Sequence, residues 1–281
     1  MAFESAEDQV TAVQGASRAL ALDAPLIVNG IRKRFGRNEV LHGIDLQLRR
    51  GELLTVLGGN GSGKSTLLRC ATRLLEPDDG GSVLCGRDLG TLRGRALREA
   101  RREAAMIFQQ IALVKRHSAF ENVCCGALGR IPLAQSLSTR TFPAEVKQRA
   151  ALALARVGLL DRAWQQAGTL SGGQAQRVAI ARAYCQQASV ILADEPVSAL
   201  DPRAAEEVMG LLADLAHNDG LAVLTVLHQP ELALRHSDRV IGMKLGSFVF
   251  DKRPDQVSNG EIESLYAHLH EAEAAEPPRT Y

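Results

Sequence analysis

The chain lacks an excess of charge of either sign, and it lacks a long apolar run. Its 33 lysine and arginine residues nearly balance 32 aspartate and glutamate residues, leaving a net charge of +1. This balance argues against a nucleic-acid-binding surface as the main purpose of the protein. No run of about 18 apolar residues is present to span a membrane, and Glu4, Glu7 and Asp8 stand where a secretory signal would be basic and then apolar. We therefore expect any action at a membrane to depend on a partner.

The five cysteines lack metal-ligand spacing and make an odd count. They are Cys70, Cys85, Cys124, Cys125 and Cys185. Such a set suits reduced thiols in a cytosolic protein better than a disulfide framework or a metal site. We therefore do not expect a vicinal disulfide between Cys124 and Cys125.

What the chain does contain is a complete phosphate-binding loop. The pattern G-x-x-x-x-G-K-[ST] is matched by Gly58, Gly59, Asn60, Gly61, Ser62, Gly63, Lys64 and Ser65. Glycines let backbone N–H groups approach phosphate oxygens, Lys64 can reach the β- and γ-phosphates, and the Ser65 hydroxyl can ligate Mg²⁺. An apolar strand over residues 53–57 enters the loop, and a helix that begins at Thr66 points its N-terminal dipole at the anion. This context favours a nucleotide site over an ordinary glycine-rich turn.

Strand and helix patterns alternate along most of the chain. Strands are predicted over residues 26–28, 44–48, 106–108, 190–193, 221–227 and 240–243, and helices over 144–160 and 202–217. Continuous apolar strands that alternate with helices predict an α/β fold whose parallel sheet is covered on both faces. Residues 111–169 contain no comparable strand and read as a helical insert of the main domain, 25–255. Residues 1–24 are expected to be a loosely ordered extension, and residues 256–281 are expected to form a helix with a frayed tail. The arginine-rich stretch at residues 93–103 is expected to be a solvated helix face.

A second anion-binding element lies in the sequence Leu170-Ser171-Gly172-Gly173-Gln174. Ser171 can cap the helix that follows, and the paired glycines leave its N-terminal N–H groups accessible. On helix physics alone this is an ordinary N-cap. Together with the phosphate loop, however, the five residues resemble the signature of ATP-binding cassette (ABC) ATPases, and the resemblance covers residues 26–251. It implies a P-loop NTPase of the ABC type, with a mostly parallel sheet core, an antiparallel β subdomain and a helical insert.

The same resemblance implies a role for each further site residue. Proteins of this family bind ATP and Mg²⁺ and dimerise head to tail, so that Ser171, Gly172, Gly173 and Gln174 would act on the partner's γ-phosphate. Two carboxylates follow the strand at residues 190–193 and would have different roles. Asp194 would belong to the Mg²⁺ shell, and Glu195 would orient or deprotonate the attacking water. The remaining roles would fall to Gln109 (the link from Mg²⁺ and water to the insert), His228 (the γ-phosphate contact), Phe35 (stacking on adenine), Thr66 (the nucleotide) and Asp201 (the loop that contacts the partner chain).

The chain fits a stand-alone importer subunit better than other ABC proteins. It has one phosphate loop, one signature and 59 residues between the glutamine loop and the signature, whereas ribosomal relatives usually carry two cassettes and DNA-repair relatives carry long coiled coils. The signature argues against an unrelated phosphate-loop kinase. A soluble, non-transport ABC ATPase is the alternative.

Several stretches resemble the phosphonate-import ATPases in particular. They lie at residues 106–110, 113–116, 129–133, 157–164, 191–196, 227–229 and 238–251, while Cys124-Cys125, Lys252 and the N-terminal extension depart from that pattern. The resemblance implies a homodimer on the cytoplasmic face of the inner membrane, an integral membrane permease and an extracytoplasmic binding protein, with no nucleic acid. Phosphonate is the expected substrate; phosphite, phosphate or another organophosphorus ligand stays open.

Overall fold

A computed structural model describes residues 23–132, 135 and 141–274 of the chain, so the expectation for the first 22 residues and for the last seven lies outside the described residues. The strands are β1 (Leu26–Phe35), β2 (Asn38–Leu48), β3 (Leu53–Leu57), β4 (Asp79–Leu84), β5 (Arg87–Asp88), β6 (Ala104–Ile107), β7 (Val190–Asp194), β8 (Ala222–Leu227), β9 (Arg239–Lys244) and β10 (Ser247–Lys252). The α-helices are α1 (Lys64–Ala71), α2 (Gly94–Ala100), α3 (Ala119–Cys124), α4 (Ala144–Arg156), α5 (Gly172–Cys185), α6 (Pro202–His217), α7 (Pro230–His236) and α8 (Asn259–Ala274).

The larger sheet carries the candidate site at one edge. Its strand order is β10-β9-β3-β8-β7-β6, parallel throughout except for the β9–β10 hairpin. Every residue of β3, β7 and β8 is buried, as expected for parallel strands covered by helices. Leu57 pairs with Leu227, and Asp194 pairs with Val226. The residues that follow these strands therefore meet at a common edge, where open α/β sheets bind ligands.

The smaller sheet is antiparallel, with the order β2-β1-β4-β5, which confirms the predicted antiparallel β subdomain. The strands predicted at residues 26–28 and 44–48 are longer than the apolar pattern indicates. They extend to a hairpin in which Phe35 pairs with Asn38, and the added residues combine polar side chains with Ile31 and Leu41, which are fully buried. Cross-strand hydrogen bonds and the burial of these two side chains hold that part of β1 and β2.

The region between residues 111 and 169 is helical where the structure describes it. It contains α3, α4 and short 3₁₀ turns at Cys125–Arg130, Leu160–Arg162 and Ala167–Thr169, and its only described β contact is one bridge between Ser118 and Gln166. Helix α4 ends at Arg156, earlier than predicted, and Gly158 follows with φ of +67°. The helical insert of the predicted fold class is thus present, while its bounds remain a prediction.

The arginine-rich stretch at residues 93–103 is only partly the solvated face that we expected. Arg95 pairs with Glu99 on an exposed surface, but Arg101 donates hydrogen bonds to the main-chain carbonyls of Thr72 and Arg73. The prediction is wrong for Arg101 because unpaired carbonyls at the end of α1 provide it with acceptors. All five cysteines are free. No helix among the described residues is long and apolar enough to cross a membrane.

Candidate nucleotide site

The phosphate loop joins β3 to α1 in a conformation that requires glycine. Gly63 precedes α1 with φ of +104°, a left-handed value that side chains disfavour. A Cβ on Gly58 would lie 2.3 Å from the Met243 carbonyl oxygen, so a larger residue cannot occupy this position without displacing β9. Backbone conformation and close packing therefore account for two glycines of the motif.

The Lys64 ammonium group is buried inside the loop. Its Nζ donates to the carbonyl oxygens of Gly58 and Gly59 at 2.8 and 2.9 Å, and the residue is only 4% exposed. Burial lowers its pKa to about 8, although the carboxylates of Glu195 and Asp194 act in the opposite direction. A cation held by neutral carbonyls in this way gains stabilisation from an incoming phosphate.

The Ser65 hydroxyl and the Asp194 carboxylate face each other below the loop. Ser65 Oγ donates to Asp194 Oδ1 at 2.7 Å, and Asp194 is 3% exposed. Hard oxygen ligands of this kind, one hydroxyl and one carboxylate completed by phosphates and water, are what Mg²⁺ prefers. The donor set therefore fits the magnesium ion that the sequence predicted.

Glu195 is held from two sides at the end of β7. Gln109 Nε2 donates to Glu195 Oε2 at 2.8 Å, and His228 Nε2 contacts Oε1. His228 Nδ1 lies 2.9 Å from the Gly58 carbonyl oxygen. The backbone of Glu195 has φ of +50°, an uncommon value for a non-glycine residue and a conformation that active sites often retain. The sequence motif gave no sign of this backbone strain.

Most of the predicted site residues line two neighbouring cavities. One, of about 290 Å³, is lined by Phe35, Asn60 to Thr66, Glu195 and His228. The other, of about 500 Å³, is lined by residues that include Asn60, Gln109, Glu195 and His228. Phe35 is 51% exposed at the rim, and Lys33 Nζ lies over one face of its ring at 5.7 Å from the centroid. Stacking on a base would use the other face of the ring.

The signature lies elsewhere on the chain. Ser171 Oγ accepts a hydrogen bond from the main-chain N–H of Gln174 at 3.3 Å, and Gln174 Oε1 accepts one from the main-chain N–H of Ser171 at 3.0 Å. The two bonds form a capping box at the start of α5. Asp201 caps α6 through the Ala204 amide at 2.9 Å. These residues, with Gly172 and Gly173, line a cavity of about 280 Å³ that shares no residue with the phosphate-loop cavity. The chain thus presents the two anion-binding elements at separate places.

One contact of the site was missed from the sequence. The Tyr266 hydroxyl, on α8, donates to the His228 carbonyl oxygen at 3.0 Å. Tyr266 also lines the 500 Å³ cavity. Nothing in the helical pattern of residues 259–274 indicates that one of its side chains reaches the end of β8.

The parallel sheet brings a phosphate loop, the hydrogen-bonded pair Ser65 and Asp194, and Glu195 to one edge. This arrangement is that of the ATP-hydrolysing cassettes. The chain belongs to the ABC transporter family, whose model matches residues 41–198, and it is an ATPase.

The relatives of the chain agree with this assignment over most of its length. It is 45% identical to the phosphonates import ATP-binding protein PhnC 1 of Pseudomonas aeruginosa (strain UCBPP-PA14), covering 87% of this chain and 90% of that protein. It is 44% identical to PhnC of Escherichia coli (strain K12), covering 88% and 95%. Among solved structures, the cassette MJ0796 bound to ADP and Pi is similar, with a TM-score of 0.70, 31% identity and coverage of 82% and 98%.

Proposed function

We propose that the chain is the ATP-hydrolysing subunit that energises phosphonate import through a separate membrane permease. The observation that carries this proposal is identity of about 45% with proteins named phosphonates import ATP-binding proteins, over nearly their whole length. No part of the substrate would touch this chain, so the assignment of phosphonate rests on relatedness. Importers of phosphate or phosphite are the alternatives.

ATP binding would begin with an exchange of partners at the loop. Lys64 would leave the carbonyl oxygens of Gly58 and Gly59, to which its Nζ donates, for the β- and γ-phosphates. Ser65 and Asp194 would hold Mg²⁺, which neutralises charge that develops between those phosphates. Phe35 would stack on adenine at the rim.

Glu195 would orient the attacking water and accept its proton. Gln109 contacts one of its carboxylate oxygens and His228 contacts the other. Hydrolysis would require at least one oxygen to be released to water. His228 would then turn to the γ-phosphate, and Gln109 would carry the change toward the helical insert.

The active form would be a head-to-tail homodimer. Ser171 to Gln174 and Asp201 line a cavity apart from the phosphate loop of the same chain, so a partner chain is needed to bring a signature to each ATP. The similar cassette MJ0796 is described as dimeric in its ADP- and Pi-bound structure. Preorganised N–H groups of the capped helix would complete the phosphate site only on closure.

The permease would dock on a groove of about 530 Å³ between the sheet core and the helical insert. The groove is lined by Arg98, Arg102, Arg130 and Arg182 together with Phe108, the neighbour of Gln109. Movement of the glutamine loop would therefore reach a docked permease directly. This role places the chain on the cytoplasmic face of the inner membrane, with a substrate-binding protein on the other side.

Growth on an alkylphosphonate as the only phosphorus source tests the proposal. A deletion strain without a second importer is complemented with the wild type, with Glu195→Gln, or with the control Glu145→Gln. Glu145 is exposed and lines none of the nucleotide-site or signature cavities. The wild type and the control should restore growth, and Glu195→Gln should not. Normal growth of the deletion strain would overturn the phosphonate assignment, and phosphite and phosphate would then be tested in the same strains.

A further inference from the structure

The C-terminal helix α8 is fixed against the core near the nucleotide site. Leu265 is buried in the main core cluster, and Lys244 at the end of β9 donates to the Ser264 carbonyl oxygen at 2.6 Å. Lys252 on β10 pairs with Glu261 at 2.6 Å. These contacts hold the first half of the helix in place, and Tyr266 follows them directly, so the direction of its side chain is determined.

The Tyr266 hydroxyl group contacts the main chain of His228. It donates to the His228 carbonyl oxygen at 3.0 Å. Burial raises the Tyr266 pKa to about 12, and the backbone of Gly58 opposes that rise. The hydroxyl is therefore protonated at physiological pH and is able to donate.

The side chain of His228 makes its own contacts with Gly58 and Glu195 on the catalytic side. His228 Nδ1 lies 2.9 Å from the Gly58 carbonyl oxygen, and His228 Nε2 contacts Glu195. The side chain of His228 thus depends on a main chain that Tyr266 fixes from the other side. A shift of that main chain would change the distance from His228 to Glu195, and later to a phosphate.

We propose that Tyr266 is a positioning residue for hydrolysis, holding the main chain of His228 so that the imidazole stays aligned with the Gly58 carbonyl oxygen and with Glu195. This inference rests on the role proposed for His228. Tyr266 acts through His228 and touches no reacting atom. It makes the C-terminal helix part of the hydrolytic machinery, although no motif lies in that helix.

The test compares Tyr266→Phe, which removes only the hydroxyl, with the wild type as purified full-length protein. Loss of one hydrogen bond at a positioning group should lower kcat roughly three- to tenfold. KM and the Kd for a non-hydrolysable ATP analogue should stay within about twofold of wild type, because Lys64, Ser65 and the loop are unchanged. A fall in kcat without a change in KM is a result that simple loss of packing would not give.

Tyr184→Phe is the matched control. Tyr184 lies near the end of α5, is half-buried and lines neither cavity of the nucleotide site. It should keep wild-type kcat and KM. All rates are referred to the concentration of nucleotide-binding protein measured by titration, at a temperature below the onset of unfolding, so a destabilised variant still gives a valid kcat.

Glu195→Gln is assayed in parallel to separate two kinds of failure. If the wild type hydrolyses ATP, Glu195→Gln does not, and Tyr266→Phe has wild-type kcat, the inference about Tyr266 is overturned alone. If Glu195→Gln hydrolyses ATP at the wild-type rate, the proposed mechanism is overturned, and the inference about Tyr266 is overturned with it. Parallel changes in kcat and KM for Tyr266→Phe would also overturn the inference, since they indicate a general structural defect.

Discussion

Raising the pH above 8 should weaken ATP binding, because Lys64 loses its charge in the free protein. Burial lowers the pKa of Lys64 to about 8, whereas phosphate oxygens beside the ammonium group would raise it again in the complex. From pH 7 to pH 9 the charged fraction of free Lys64 falls from about nine-tenths to about one-tenth. The Kd for nucleotide should therefore rise about tenfold over that interval, with proton uptake on binding.

The free energy of unfolding of the protein without nucleotide should depend on pH with the opposite sign. The pKa of Lys64 is about 8 in the folded chain, against an ordinary value of 10.5. Between these two pH values the folded chain therefore binds fewer protons at Lys64 than the unfolded chain does. Lys64 should therefore add to the free energy of unfolding as the pH rises through that window. Nucleotide affinity falls over the same range, so the two measurements should move in opposite directions.

Calorimetric titration with a non-hydrolysable ATP analogue and excess Mg²⁺ measures the effect. Runs at pH 7, 8 and 9, in buffers of different ionisation enthalpy, give both Kd and the number of protons taken up. Glu195→Gln is an informative control because the Glu195 carboxylate raises the Lys64 pKa, and its removal should shift the fall in affinity to lower pH. A Kd that stays constant from pH 7 to 9, with no proton uptake at pH 9, would refute the reasoning.

Three further predictions concern single substitutions. Glu195→Gln should retain ATP binding and accumulate as a closed dimer, so gel filtration with ATP and Mg²⁺ should give a larger species; a monomer alone would contradict the assignment of Glu195. Lys64→Ala should abolish nucleotide binding, because no other cation enters the loop among the residues that line its cavity; unchanged affinity in the same titration would contradict this. Gly126→Ala would place a Cβ 2.1 Å from the Arg182 carbonyl oxygen and should lower the free energy of unfolding by about 1–3 kcal/mol. The control Gly260→Ala meets open space, and equal thermal midpoints for these two glycine variants would disprove the packing argument.

Local patterns were sufficient for the fold class and for the phosphate loop. The strand at residues 53–57, the helix after it and the glycine spacing are all short-range features. The structure has the strand at Leu53–Leu57 and the helix at Lys64–Ala71, two residues earlier than predicted. The helix at Pro202–His217 matches its predicted bounds, because Asp201 caps it and proline occupies its first turn. Boundaries were less accurate where hairpin pairing extends a strand, as at Phe35, because the partner strand is not visible in a local pattern.

The sequence by itself determined which chemistry the protein carries. The loop at 58–65, the signature at 170–174 and the carboxylates at 194 and 195 each need a particular residue type in a particular order, and order is what a sequence records.

Only the tertiary structure decided which of these groups meet. Parallel pairing of β3, β7 and β8 brings Lys64, Glu195 and His228 to one edge, while the signature stays on a separate surface. The strained backbone of Glu195 and the hydroxyl of Tyr266 against His228 depend on contacts between residues far apart in the chain. Such contacts are set by packing of whole elements, so no local pattern contains them.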